Sequence, residues 1–296
     1  MNPPAGATAS LNASGPVSGG MNPPEGATAS LNASPGEAAV QGSTKPRGGG
    51  LGWLLANIVQ AIFTALWCAF WISSAIIVRV LTFTTKIALS MARWGWAPGL
   101  LYGAGAKMEI EGLDRFDPKK PYVFVSNHQS MIDIAVVYYS IPQNVRFVLK
   151  RELKYVPFIG WYGAAMGMFF VDRRNRPQAI ASLQRAAELI RRGASVIAFA
   201  EGTRSRTGEL LPFKKGPFVL AIEAGVEVVP LAISGAVDVL PADGFRVRPG
   251  TIRVAFGTPI STTGLSVEER GEIAERAERA VAALYAELET KRRATS

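Results

Sequence analysis

Hydrophobic and polar positions follow different rhythms in different parts of the chain. From Gly48 to Val78 no residue is charged and most are apolar. As a helix that run would measure about 46 Å, against a bilayer hydrocarbon core of roughly 30 Å. Buried core helices are shorter and more mixed in composition, so the run predicts a membrane-inserted segment. It is too long, and begins too far along the chain, for a cleavable signal peptide. Arg79, Lys86 and Arg93 then recur every seven residues, a spacing that drifts only about 20° per step around a helix. Val80, Leu81, Phe83, Ile87, Leu89, Met91, Trp94 and Trp96 lie between and beside them. This pattern predicts an interfacial helix, cations toward headgroups and tryptophans at the boundary, ended by Pro98-Gly99.

Beyond residue 107 the rhythm changes to short β-rich runs alternating with helical periods. Strands are predicted over Tyr122–Val125, Val145–Leu149, Met168–Val171, Ser195–Ala200, Glu227–Ala232 and Ile252–Phe256. Between two of them Pro177 fits a helix's first turn and Gly193 its end, with Ile180, Leu183, Ala187 and Ile190 as the apolar stripe. A second helix is predicted over Pro217–Ala224, stopping at Gly225. Ser266 and Glu269 have the spacing of a capping box opening a charged C-terminal helix, with Val281, Leu284 and Leu288 facing inward. The expected fold class is α/β, a mixed and mostly parallel central sheet flanked by helices, preceded by the membrane-inserted helical segment.

Residues 1–50 have neither rhythm. They are rich in Pro, Gly, Ala, Ser and Asn, and MNPPAGATASLNAS at 1–14 returns as MNPPEGATASLNAS at 21–34. Two copies of so polar a unit cannot stack into a solenoid, so a disordered, tandemly duplicated tail is expected. The domain division that follows is 1–50 tail, 51–106 membrane-associated helices and 107–296 α/β domain.

Charge sharpens this picture. The net charge is +9 over 296 residues, and 48% of residues are hydrophobic. The tail is neutral and residues 51–106 carry +3 from three cations and no acid, which leaves +6 on the rest. A basic chain with a long apolar segment suits a phospholipid bilayer, and no base-reading motif points to nucleic acid. The expected location is the cell membrane, with the α/β domain on the cytoplasmic side. Cys68 is the one cysteine and His128 the one histidine. An intrachain disulfide, a cysteine cluster and a multi-histidine metal site are therefore excluded, and no metal is expected.

Any imidazole base must be His128. It sits in Val123-Phe124-Val125-Ser126-Asn127-His128-Gln129-Ser130-Met131-Ile132-Asp133, where a buried strand meets a polar break before a helix expected near Ser130. Helix amino ends present free N–H donors. Asp133, five residues on, can fold back to the ring nitrogen turned away from substrate and stabilise the imidazolium. A second group follows another β-rich run. In Phe199-Ala200-Glu201-Gly202-Thr203-Arg204-Ser205, the glycine permits close backbone approach, the hydroxyls donate and Arg204 offers a fork for phosphate. A third comprises Lys150-Arg151-Glu152-Leu153, Pro157-Phe158-Ile159-Gly160-Trp161 and Gly167–Arg174. Its apolar members suit an acyl channel or ordinary core packing, while Lys150 or Arg173 suits an anionic head group.

His128-Gln129-Ser130-Met131-Ile132-Asp133 resembles the His-four-residues-Asp motif of the glycerolipid acyltransferases, the lysophosphatidic acid acyltransferase family. Lys150 through Gly160, Gly167–Arg173, Glu201-Gly202-Thr203-Arg204-Ser205 and Val229-Pro230-Leu231 match that family's later blocks in order and spacing, over roughly 107–262. Ala200 departs from the pattern, standing where the family usually has proline. The resemblance implies His128 and Asp133 as catalytic pair. It also implies Glu201, Gly202, Thr203 and Arg204, with Lys150 and Arg173, as the acceptor's phosphate pocket. The activity implied is transfer of an acyl group from acyl-CoA or acyl carrier protein to the sn-2 hydroxyl of a lysophospholipid, 1-acyl-glycerol-3-phosphate by default. His128 would act as general base without a cofactor, and amides at the helix start after it would hold the oxyanion. A lyso-aminolipid acceptor fits the same scaffold. A lipid esterase and a non-catalytic membrane adaptor are the competing classes. The first lacks a G-x-S-x-G elbow, and the second leaves the His-Asp pair without a use.

Overall fold

The structure is a computed structural model and describes residues 51–172, 176–242 and 244–294, so the duplicated tail lies outside it. The uncharged run forms α1 (Leu51–Thr82), which is long and apolar enough to cross a membrane and leaves most of its apolar side chains uncovered. The chain turns at Phe83, whose φ is 54°, and doubles back as α2 (Thr85–Met91), a π-helical stretch (Ala92–Trp96) and α3 (Ala97–Gly103).

This hairpin corrects the expected single interfacial helix. The break at Phe83 separates Arg79 from Lys86, so the three cations share no continuous face. Arg93 turns inward and donates to the Pro142 carbonyl. Pro98 does not end a helix: it follows the π-helical stretch, and the helical run continues through α3 to Gly103. The hairpin closes by shape. Gly95, Gly99 and Gly103 form a groove four residues apart, filled by Trp71, Trp67 and Phe63 at the same spacing on α1. A Cβ added at those glycines would lie 2.0, 2.1 and 2.4 Å from the three rings. The Trp67 indole N–H also donates to the Trp96 carbonyl at 3.0 Å.

The sheet has seven strands: β1 (Ala106–Glu111), β2 (Val123–Ser126), β3 (Val145–Lys150), β4 (Phe169–Val171), β5 (Ser195–Phe199), β6 (Val228–Ser234) and β7 (Gly250–Phe256). Their order is β1-β7-β6-β2-β5-β3-β4, and every neighbouring pair is parallel except β6 with β7. Central β2 and β6 are buried along their whole length, which is why they read as unbroken apolar runs. Edge strand β1 was not predicted. Its alternation of Ala106, Met108 and Ile110 with Lys107, Glu109 and Glu111 is a strand signal hidden by charge, and Glu109 is satisfied across the ladder by Arg253 at 2.8 Å.

Helices cover both faces. Phe124 points toward α4 (Asp133–Ser140) and the amino-terminal hairpin, whereas Val123 and Val125 point toward α6 (Arg176–Arg191), α7 (Gly216–Ala224) and α9 (Arg270–Ala294). The predicted capping box forms, with the Ser266 N–H donating to Glu269 Oε2 at 2.7 Å ahead of α9. Gly225 ends α7 with φ at 68°. α5 (Ile159–Met166) packs beside α1 and α2. Parallel strands bring the segments after β2, β3, β4 and β5 to one rim of the sheet, where α/β folds place their sites.

Candidate active site

β2 and β5 are neighbours in register, Ser126 opposite Phe199, so the segments leaving them run side by side. Four contacts lock these segments together. The Ala200 N–H donates to the Ser126 carbonyl at 3.0 Å, and the Ser205 N–H to the His128 carbonyl at 2.8 Å. The His128 N–H donates to Glu201 Oε1 at 3.0 Å. The Phe199 ring stacks on the imidazole with centroids 3.9 Å apart and planes 10° from parallel. The residues flanking His128 anchor elsewhere. Asn127 exchanges two hydrogen bonds with the Ile233 backbone, at 2.8 and 2.9 Å, and Gln129 Nε2 donates to Gly208 and Tyr285 oxygens, both at 2.9 Å.

Asp133 opens α4 and is fully buried. One of its oxygens, Oδ2, meets His128 Nδ1 at 2.8 Å and accepts the N–H groups of Gln129 and Ser130, each also at 2.8 Å. These three contacts on one oxygen fix the carboxyl group and the imidazole's orientation. Nδ1 then carries hydrogen toward Asp133, and the other ring nitrogen is left as the acceptor. Three amides of this turn are thereby committed within the protein. The first two amides after His128 serve Asp133, and the N–H of Ile132 points to Ser130 Oγ at 3.3 Å.

Glu201 is 1% exposed and lies beneath the His128 loop. Burial raises its carboxyl to about 7, the Asp133 charge adds to the rise, and N–H donors from His128 and Leu211 oppose it. Gly202 turns the chain with φ at 75°, and Thr203 is exposed beside it. Arg204 is half-buried, with Nη1 at 3.4 Å from the Ala242 carbonyl. Lys150 ends β3 and is exposed, its Nζ 3.3 Å from Glu152. Arg173 lies outside the described residues.

Next to this loop is a cavity of about 640 Å³, walled almost entirely by carbon. Ala65, Cys68 and Ala75 of α1 form one side, and Met131, Ile132 and Ala135 of the segment after His128 another. Phe158, Ile159 and Met168 from the third sequence group and Leu149 of β3 add to its wall, and Arg204 is the one cation among the described residues that line it. Trp161 does not line it and faces outward. Sequence reasoning missed Phe199 as the ring beneath His128. The residue stands at a strand end before the Glu-Gly-Thr-Arg run, but only the pairing of β2 with β5 puts it there. Among the described residues, no group of three or more His, Cys, Asp or Glu is placed to hold a metal ion.

Residues 107–234 match the family model described as Acyltransferase. Over 245 residues the chain is 32% identical to a 1-acyl-sn-glycerol-3-phosphate acyltransferase of Pseudomonas aeruginosa, covering 78% of this chain and 93% of that protein. It is 33% identical to the human alpha enzyme of that name over 190 residues, covering 64% and 67%. The enzyme of that name from Saccharomyces cerevisiae is 38% identical over 175 residues, 58% of this chain but only 57% of the yeast protein. The crystal structure of the 1-acyl-sn-glycerophosphate (LPA) acyltransferase PlsC from Thermotoga maritima superposes with a TM-score of 0.65 and 25% identity, covering 78% of this chain and 95% of that one.

Proposed function

The chain belongs to the family of the 1-acyl-sn-glycerol-3-phosphate acyltransferases, and from that premise we propose that it acylates the free sn-2 hydroxyl of 1-acyl-glycerol-3-phosphate, forming phosphatidic acid. The observation that carries the reading is the 2.8 Å His128–Asp133 contact beside an apolar cavity with a cation in its wall.

The acceptor hydroxyl gives its proton to the imidazole nitrogen turned away from Asp133 as its oxygen attacks the thioester carbonyl. The imidazolium is stabilised by the Asp133 carboxylate, the tetrahedral adduct expels thiolate, and the same nitrogen returns the proton to sulfur. Ester and thiol are the products, and no acyl-enzyme forms. Arg204 neutralises the acceptor's phosphate, helped by the Gly202–Thr203 turn, Lys150 and Arg173. Glu201 acts from below: an anion or buried acid on the His128 amide fixes the loop rather than touching phosphate. The cavity takes a fatty chain, and its α1 wall lets amphiphilic substrates arrive sideways from the bilayer. The donor is acyl-CoA or acyl carrier protein, reached from the cytoplasmic face.

Membranes holding the protein, supplied with labelled acyl thioester and a panel of lysolipids, should yield phosphatidic acid from 1-acyl-glycerol-3-phosphate by mass. His128→Ala should abolish this product while the protein still sediments with membranes. Product formed by that variant at the wild-type rate refutes the assignment.

A further inference from the structure

We infer that residues 151–161, the link from β3 together with the first turn of α5, form a second membrane contact. This aromatic and cationic lip rests on an anionic phospholipid surface at the edge of the apolar cavity, apart from the α1 hairpin.

Tyr155 is 71% exposed and Trp161 57%, and Val156, Phe158 and Ile159 are also open. Soluble surfaces seldom gather so many large apolar side chains in one place, and Tyr with Trp is the pairing favoured at the headgroup level. The exposure does not come from a loose loop. The N–H of Val156 donates to the Leu153 carbonyl at 3.2 Å, that of Gly160 to Val156 at 2.8 Å, and that of Tyr162 to Phe158 at 2.9 Å. Gly160 packs so closely that a Cβ would sit 2.0 Å from the Lys154 carbonyl oxygen. Phe158 is held at φ 62°, a conformation costly for an aromatic residue and maintained by its surroundings. Its ring lies 5.2 Å from that of Trp161.

Two further observations select lipid as the partner. Within the lip Arg151 and Lys154 outnumber Glu152 by one, and because Arg151 pairs with Asp172, the exposed Lys154 is the cation that suits an anionic leaflet. The lip is also continuous with the membrane helices, because α5 packs on α1 and α2. Phe158 and Ile159 face the cavity as well, so a lipid held at the lip has a direct carbon-lined path inward. None of this requires a particular acceptor, and the first readout below is independent of turnover.

The test uses the full chain in phosphatidylcholine vesicles with and without phosphatidylglycerol. Lipids brominated near the headgroup should quench the fluorescence that Trp161→Phe removes, and more strongly when phosphatidylglycerol is present. Lys154→Gln should reduce that difference. Tyr155→Ser/Val156→Ser should stay membrane-bound through α1. Its turnover of a long-chain lysolipid in vesicles should fall about tenfold, while turnover of a short-chain, water-soluble acceptor is unchanged. The inference is overturned if Trp161 is not quenched, or if both acceptors suffer equally. It is also overturned if the double variant merely converts a dimer to a monomer, which would make the lip a protein interface.

Discussion

Replacing Asp133 with Asn keeps size and shape and removes only charge. In the wild type one carboxylate oxygen holds three donors at 2.8 Å: His128 Nδ1 and the amides of Gln129 and Ser130. Asn must turn its oxygen toward all three, since an NH2 there would face donors. Its NH2 then occupies the place of Oδ1, which is buried and has no hydrogen-bond partner. Weakening three charge-assisted bonds to neutral ones loses about 1 kcal/mol each, and the stranded NH2 adds about 1–3 kcal/mol. Relief from burying a charge offsets part, leaving a stability loss of roughly 2–4 kcal/mol. Catalysis should suffer more than folding. The imidazolium formed in the transition state loses its facing anion, so kcat should drop about 10³–10⁴-fold, equivalent to about 4–5.5 kcal/mol. KM for the lysolipid should move little, because Asp133 is buried away from the acceptor. Steady-state kinetics in mixed micelles, alongside a thermal melt of the same preparation, reads both effects. A folded Asp133→Asn enzyme with kcat within tenfold of wild type would refute the carboxylate's place in the mechanism.

Glu201 offers a pH test. Its folded value of about 7 lies above its ordinary 4.5, so the fold keeps its proton while the unfolded chain releases it. Its contribution is therefore complete below 4.5, shrinks as pH rises, and is lost above about 7, a span worth roughly 3 kcal/mol. Glu201→Gln cannot ionise, so denaturation at pH 5 and pH 8 should show a flatter profile and a relative gain at pH 8; an equal offset at both contradicts the assignment. Gly99→Ala should drive a Cβ into Trp67 and cost about 1–3 kcal/mol of thermal stability in detergent. Trp67→Phe, smaller at that contact, should recover part of the loss, and no recovery argues against the groove. Ala135→Phe, pointing into the cavity from α4, should shift the preferred acyl chain to shorter lengths in a competition assay. An unchanged product profile means the chain binds elsewhere.

The site was readable where chemistry is local in sequence. A lone histidine, an aspartate five residues later and a strand-to-helix break confine the proposed base and its partner to one turn, and that turn closes at 2.8 Å. The capping box at Ser266 and Glu269 and the stop at Gly225 were equally local. The reading failed where a residue's neighbour is far along the chain. Evenly spaced cations at 79, 86 and 93 suggested one helix, because periodicity carries no account of a turn at Phe83 or of the Pro142 carbonyl that claims Arg93.

Sequence alone determined the α/β alternation, the membrane-directed apolar segment and the pairing of the lone histidine with Asp133, since each follows from residue type and spacing within a few turns. Tertiary structure decided the rest. The order β2-β5-β3 sets Phe199 and Glu201 around His128, and an aromatic ridge in a glycine groove makes α1 a cavity wall rather than a bare anchor. The reason is physical: strand partners and helix packing are chosen by burial summed over the whole sheet and hairpin, a quantity no short window of sequence contains.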